Sequence, residues 1–463
     1  MTVQRSYRFT RCGGRRAGEP ADTEHETMVI RPVFTSVVVG GVALLTATAA
    51  FAQGAANAPE LVAGIPVNYD EEQVGEYTLP DPLVMLNGER VRDAETWYNK
   101  RRPELVALFE EHQYGKTPPV PEDLWFDVTE QAGTAFDGRA IRRQVTVHFT
   151  RDPEGPQMDV LMYIPANAAG PAPMLLNISF FPNSSTVADT MVHLGSTWSA
   201  QTRERVQSTR RAAQNPAYLE RLLSEGFAWG TIYYGDIDPD FANAATLGVR
   251  SLWLAPGETE PAPDEWGAIS AWAWGLSRAL DYLQTDPDID HTRVAITGAS
   301  RLGKTVLWAG ARDPRFAMVI ASVSGAGGAA LERRNYGETI AHLVADGRYP
   351  YQFARNWQRY AEDPNLSPVD SHMLISLVAP RPLLLQTGTT DFWSDPRGEF
   401  LAAVASEPVW ELLGAKGLGT DVLPEPDQPI LNDLGYLMHE GGHGTLPRDW
   451  DVFIDFMKLH FLD

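Results

Sequence analysis

Seven short apolar runs recur along the chain, at residues 141–149, 159–164, 174–180, 228–234, 294–297, 318–323 and 383–387. Several are continuous rather than alternating, the pattern of strands covered on both faces. Helical periodicity occupies 266–284, 301–312, 398–405 and 450–461, and it alternates with the later runs. Strand–helix alternation predicts an α/β fold, with a mostly parallel central sheet between two helical layers. Residues 97–114 read as an N-terminal helix packed on that body. The proline-rich stretch 408–430 reads as a surface excursion near the site.

The first residues read differently. Met28-Val29-Ile30-Arg31 opens a short positive region, an apolar stretch follows from Val33 to Leu45, and small residues end in Ala50-Phe51-Ala52. This is the form of a secretory signal, with cleavage expected before Gln53. The apolar core is short for a membrane span. Residues 1–52 are therefore expected to be a leader, and 53–463 a single catalytic domain with an N-terminal extension over about 53–140. The lone cysteine, Cys12, falls in the leader, so a mature exported chain would contain no disulfide and would rely on its core.

Charge narrows the partners. Removing residues 1–52, with six basic and four acidic side chains, moves the formal charge from −22 to −24. That balance disfavours nucleic acid and anionic membrane as partners. No linker, charge block or repeat divides the remaining chain. A monomer is expected, in the periplasm or outside the cell.

Arg293-Val294-Ala295-Ile296-Thr297-Gly298-Ala299-Ser300-Arg301-Leu302-Gly303-Lys304-Thr305 passes from a β-branched run into a small-residue turn with serine at its apex. This is the sequence form of a nucleophile elbow, in which a strand-to-helix turn lifts the serine hydroxyl above the sheet. The same residues fit G-x-x-x-x-G-K-T, a phosphate-cradling loop. Both motifs join strand to helix, so local pattern does not separate them. An exported enzyme has no ATP pool, which weighs against the phosphate loop.

In serine hydrolases built on this α/β sheet, the acid and then the histidine follow the serine. His443, between Gly442 and Gly444 just before the last helix, is the candidate base for Ser300. His439-Glu440-Gly441-Gly442-His443 also matches the H-E-x-x-H of zinc proteases. That motif needs a helix, and two adjacent glycines cost a helix about 2 kcal/mol relative to alanine. No metal is expected, and His439 reads as a loop or packing residue. Asp391, just past the run at 383–387, is the candidate acid, with Asp395 in reserve. Either carboxylate could instead cap the helix that follows.

Taken together, these stretches resemble the glucuronoyl esterases of carbohydrate esterase family 15. The residues that carry the resemblance are Gly298-Ala299-Ser300-Arg301-Leu302-Gly303-Lys304, Ser324-Gly325-Ala326-Gly327-Gly328, Asp370-Ser371-His372, Ala379-Pro380-Arg381-Pro382 and Gly442-His443-Gly444. Leu79-Pro80-Asp81-Pro82-Leu83 and Tyr114-Gly115-Lys116-Thr117-Pro118 extend it, so that it spans about residues 79–462. The resemblance implies an α/β-hydrolase fold and cleavage of the ester between (4-O-methyl-)glucuronic acid of xylan and a lignin alcohol, without cofactor. It implies Ser300 as nucleophile, Arg301 at the oxyanion, Lys304 and Glu338 on sugar polar groups, and Trp393 against the sugar ring. Arg301 could instead make an ordinary ion pair, Lys304 be an exposed helix lysine, and Glu338 a solvated carboxylate. Trp266, Trp272 and Trp274 read as core. The sequence departs from many relatives at Val323, where they carry a glutamate that serves as the acid, so either the acid here comes from the loop with Asp391 or the triad is incomplete. Two other readings stay open: an esterase for acetyl-type carbohydrate esters, and a carbohydrate-binding relative without activity.

Overall fold

Ten strands form one twisted sheet in the computed structural model, which describes residues 61–210, 212 and 214–462. The leader and Cys12 lie outside the described residues. In chain order the strands are β1 (Trp125–Ala135), β2 (Ala140–His148), β3 (Gln157–Pro165), β4 (Ala172–Ser179), β5 (Ala228–Tyr233), β6 (Ile289–Ala299), β7 (Met318–Ser322), β8 (Leu383–Gly388), β9 (Ile430–Leu431) and β10 (Leu434–His439). Their spatial order is β9-β10-β8-β7-β6-β4-β5-β3-β2-β1. The run from β10 to β5 is parallel throughout. β1, β2 and β3 join antiparallel at one edge, and β9 at the other.

The helices that matter here are α1 (Arg102–Phe109), α2 (Ala217–Ser224), α3 (Ala268–Leu283), α4 (Arg301–Arg312), α5 (Ser371–Ser376), α6 (Pro396–Leu412) and α7 (Pro447–Phe461). Successive strand residues point to opposite faces, and both faces are covered. Val319, Ala321, Leu383 and Leu385 join a core cluster with Trp272, Leu280, Trp308 and Trp410 of α3, α4 and α6. Their neighbours Met318, Ile320 and Leu384 join a second cluster with Leu219 and Leu222 of α2 and Phe453 and Met457 of α7. The sheet thus lies between two helical layers, the expected fold. Trp266, Trp272 and Trp274 are buried in the first cluster.

Three elements differ from expectation. β1 is an edge strand exposed along most of its length, so no apolar run marks it. β10 is absent from the expected strands because Gly435 interrupts its apolar run, yet all six of its residues are buried. α6 continues past residue 405 and through Pro408, entering the stretch expected to be a surface excursion. An interior proline costs about 3 kcal/mol. Burying a tryptophan removes about 200 Å² from water, roughly 5 kcal/mol at about 25 cal/mol per Å². Val409 and Trp410 are fully buried one and two residues beyond the proline, and that burial outweighs its cost.

Candidate active site

Ser300 sits between β6 and α4 at φ 58 and ψ −127. A serine held there stores about 1–3 kcal/mol of strain, which persists only because its surroundings enforce it. Ser300 N–H donates to the Ser322 carbonyl at 2.9 Å, and Lys304 N–H donates to the Ser300 carbonyl at 3.1 Å. Gly303 is where α4 crosses β7: a Cβ there would stand 2.6 Å from the Ser322 carbonyl oxygen. That close approach explains a glycine one place later than in the common G-x-S-x-G elbow. The helix begins at Arg301, so no open loop of amides spans Gly298 to Gly303. Lys304 is buried, and its Nζ donates to the Ser324 carbonyl at 2.5 Å. The phosphate-loop alternative therefore lacks its cradle.

The parallel register carries the other groups to the same edge of the sheet. β8 and β10 are neighbours, and both end level with Gly388 and His439. Past their ends, Thr389 N–H donates to the His439 carbonyl at 3.0 Å, and Thr390 N–H to the Gly441 carbonyl at 2.8 Å. A Cβ on Gly388 would stand 2.3 Å from the Gly442 carbonyl oxygen, so only glycine lets the loops meet. Asp391 and His443 come together there, with Asp391 Oδ2 2.7 Å from His443 Nδ1. The Asp391 side chain is 3% exposed and that of His443 17%. A carboxylate at Nδ1 fixes that nitrogen as the protonated one and leaves Nε2 as the basic site. Ser394 Oγ lies 3.3 Å from the same Nδ1.

Ser300, Arg301, Lys304, Glu338, Trp393 and His443 all line one open cavity of about 380 Å³, its solvent-open mouth included. Val323, Ser394, Arg348 and Tyr349 complete much of its wall. A roomier cleft of about 600 Å³ at the far end of α4 is lined by Trp274, Arg278, Trp308 and Arg312, and includes neither Ser300 nor His443. Chemistry rather than size singles out the smaller cavity.

Each remaining candidate has a definite place. Asp395 is the helix-capping carboxylate. It accepts from Gly398 N–H at 2.9 Å at the start of α6 and pairs with Arg334 at 2.8 Å. Burial raises its pKa to about 6 despite that arginine. Glu338 is not solvated: it pairs with Arg348 at 3.0 Å and lies 3.9 Å from Lys304 Nζ. Burial pulls the Lys304 pKa below its ordinary value, with the Glu338 charge opposing. Trp393 packs edge-on to His342 at 5.3 Å, with Arg348 5.6 Å from its ring centroid. Arg301 makes the ion pair expected as its alternative, with Asp240, and also lines the cavity. Val323, which lines the cavity, has φ 42, a left-handed conformation rare for a β-branched residue.

Of the two readings of His439, loop or packing residue, the structure shows the second. That histidine closes β10, fully buried, with Nδ1 2.7 Å from Asp449 Oδ2 and Nε2 2.9 Å from the Gly442 carbonyl. The H-E-x-x-H spacing runs from a strand into a turn, so its two imidazoles share no helix face. Sequence reasoning missed Asp240, Arg348, Tyr349 and Ser394. Only the acidic turn Asp236-Ile237-Asp238-Pro239-Asp240 after β5 offered a local signal for any of them.

Comparison with known proteins gives the family. A family model described as glucuronyl esterase of fungi matches residues 261–414. A carbohydrate esterase, MZ0003, from an unknown prokaryotic organism is 42% identical over 402 residues, covering 85% of this chain and 92% of its own. A glucuronoyl esterase from Solibacter usitatus superposes with a TM-score of 0.80 at 42% identity, over 84% of this chain and 100% of that one. A promiscuous family 15 esterase from the marine bacterial metagenome superposes at 0.78 and 41% identity, over 85% and 100%. This chain belongs to the glucuronoyl esterases of carbohydrate esterase family 15, carboxylic ester hydrolases of the α/β-hydrolase fold.

Proposed function

We propose that this chain hydrolyses the ester between (4-O-methyl-)glucuronic acid of glucuronoxylan and an alcohol of lignin, through a Ser300–His443–Asp391 acyl-enzyme route. Ser300 Oγ attacks the uronate carbonyl while His443 Nε2 takes its proton. Asp391 holds the imidazole by Nδ1–H and stabilises the cation that forms. Arg301 faces the developing oxyanion with its guanidinium and, from the first turn of α4, its backbone N–H. The tetrahedral adduct expels the alcohol, which leaves with the His443 proton. Water, deprotonated by the same histidine, then attacks the acyl carbonyl, and collapse releases glucuronate and restores Ser300. Lys304 and Glu338 bind polar groups of the sugar, and Trp393 packs on its ring.

The observation that carries this reading is the 2.7 Å contact of Asp391 with His443 beside a cavity that also holds Ser300 on its strained turn. The leader-like segment at 28–52 supports export, to the periplasm or beyond, and a monomer needs no second copy to complete the cavity. Among the described residues no helix is long and apolar enough to cross a membrane. The similarity to an esterase described as promiscuous favours some turnover of simpler carbohydrate esters as well.

The test is hydrolysis of benzyl glucuronate against acetylated xylan. Preference for the glucuronate supports the proposal, and preference for the acetyl ester supports the broader reading. Sugar binding without turnover of either would leave an inactive binding relative. Undiminished activity in Ser300→Ala sinks the serine mechanism.

A further inference from the structure

Arg301 is held from the side by a group that lies 61 residues earlier in the chain. Its Nη1 donates to Asp240 Oδ2, and the Tyr234 hydroxyl donates to the same oxygen at 3.1 Å. The other oxygen, Oδ1, accepts from the Tyr351 hydroxyl at 2.9 Å and from Gln352 Nε2 at 2.7 Å. Four donors thus occupy both oxygens of one carboxylate whose side chain is 7% exposed, which leaves it little freedom to turn.

The segment that carries it is itself anchored. Asp238, two residues earlier, is fully buried against Arg250 at 2.8 Å, and its carbonyl accepts from Trp272 Nε1 at 2.9 Å. On its other side the Arg301 guanidinium lies 4.7 Å from the Tyr349 ring centroid. One edge of the arginine fork is therefore fixed by Asp240 and one face by Tyr349, while the residue still lines the cavity beside Ser300.

We infer that Asp240 is a positioning residue for the reaction: it orients Arg301 for the oxyanion. This inference rests on the esterase reading above. Preorganised charge helps a transition state only if it needs no reorientation when the oxyanion forms. A long arginine side chain free to rotate gives little of that benefit. Burial alone disfavours the guanidinium charge, and the Asp240 carboxylate reverses that effect. Tyr351 and Gln352 act one step further out, by holding Asp240.

The experiment measures steady-state hydrolysis of benzyl glucuronate by wild type, Arg301→Ala, Asp240→Asn, the double variant and Tyr351→Phe, with melting temperatures alongside. Asp240→Asn should lower kcat by about 10- to 100-fold and move KM less than about threefold, as loss of an oxyanion group does. The double variant should be no slower than Arg301→Ala alone, because Asp240 acts only through that arginine. Tyr351→Phe should lower kcat by a few-fold with the fold intact, and it carries the test if Asp240→Asn does not fold. Wild-type kcat in Tyr351→Phe or Asp240→Asn overturns the inference, as do multiplicative losses in the double variant. If wild type turns over p-nitrophenyl acetate but not benzyl glucuronate, the substrate reading fails, and the same comparison on the acetate decides the role of Asp240. Turnover of neither ester overturns both.

Discussion

His443 Nδ1 and Asp391 Oδ2 stand 2.7 Å apart although 52 residues separate them in the chain. The contact exists because β8 and β10 are paired in register and end side by side, so the loops that leave them run together. It sets which imidazole nitrogen holds a proton at rest, and so which one can accept another.

Loss of the Asp391 charge should therefore damage turnover far more than binding. Asp391→Asn is expected to lower kcat by about 10³- to 10⁴-fold with KM little changed, the scale seen when a triad carboxylate is neutralised. Asp395→Asn should act on stability instead, lowering the melting temperature through its pair with Arg334 and its cap on α6. Steady-state kinetics and thermal melts on the two variants check this; equal kinetic losses would count against Asp391 as the acid.

Trp393 should matter for sugar recognition rather than for chemistry. An aromatic face contributes on the order of 1 kcal/mol beyond its area. Trp393→Ala is expected to raise KM for benzyl glucuronate about five- to tenfold and to change kcat less. A simple acetate ester should show almost no change in KM, which separates ring stacking from general disturbance of the cavity.

His439 should make part of the stability depend on pH. Burial lowers its pKa, but its hydrogen bond and ion pair with Asp449 and the Gly442 carbonyl outweigh that, so the native value lies above the ordinary one. A histidine raised in the native state binds more protons folded than unfolded. Its contribution is complete below about pH 6.5, the ordinary value, and declines as pH climbs through the raised native value. His439→Gln should lower the melting temperature at pH 6 and much less at pH 9. Because Gly442 adjoins His443, turnover should fall too.

Glu399 adds to the same trend with a cost rather than a gain. Burial raises its pKa to about 8, although Gly325 N–H and Ser324 Oγ donate to it. The native state keeps the proton between the ordinary carboxylate pKa and about 8, so stability falls as pH rises across that interval. Glu399→Gln, which does not ionise, should flatten the fall in melting temperature between pH 5 and pH 8. An unchanged slope in the variant would remove Glu399 from the account.

Much of the scaffold was legible in the chain. Strands buried on both faces must be apolar throughout, and β3 to β8 announced themselves that way. The elbow was legible because a strained serine turn packed against β7 tolerates only small neighbours, as Gly303 shows. Chain order pointed to Asp391 and His443, which the fold brings into contact. β1 was hidden because an exposed edge strand need not be apolar, and β10 because Gly435 interrupts its run. Local pattern could not separate the elbow from a phosphate loop, place His439 in a strand, or choose between Asp391 and Asp395 on their own surroundings.

Those choices fell to tertiary structure because they depend on which distant groups the sheet brings together. A carboxylate beside an imidazole orients it, and one beside an arginine and a helix start caps a helix; sequence shows only an aspartate in both cases. Asp240 is the extreme instance, since its four donors come from β5's end, α4 and the segment 351–352. Periodicity records which face of an element meets the core, and so the chain by itself determined the layers of this protein. Contacts between loops leave no periodic trace, and so only the folded sheet decided which groups meet at the candidate site.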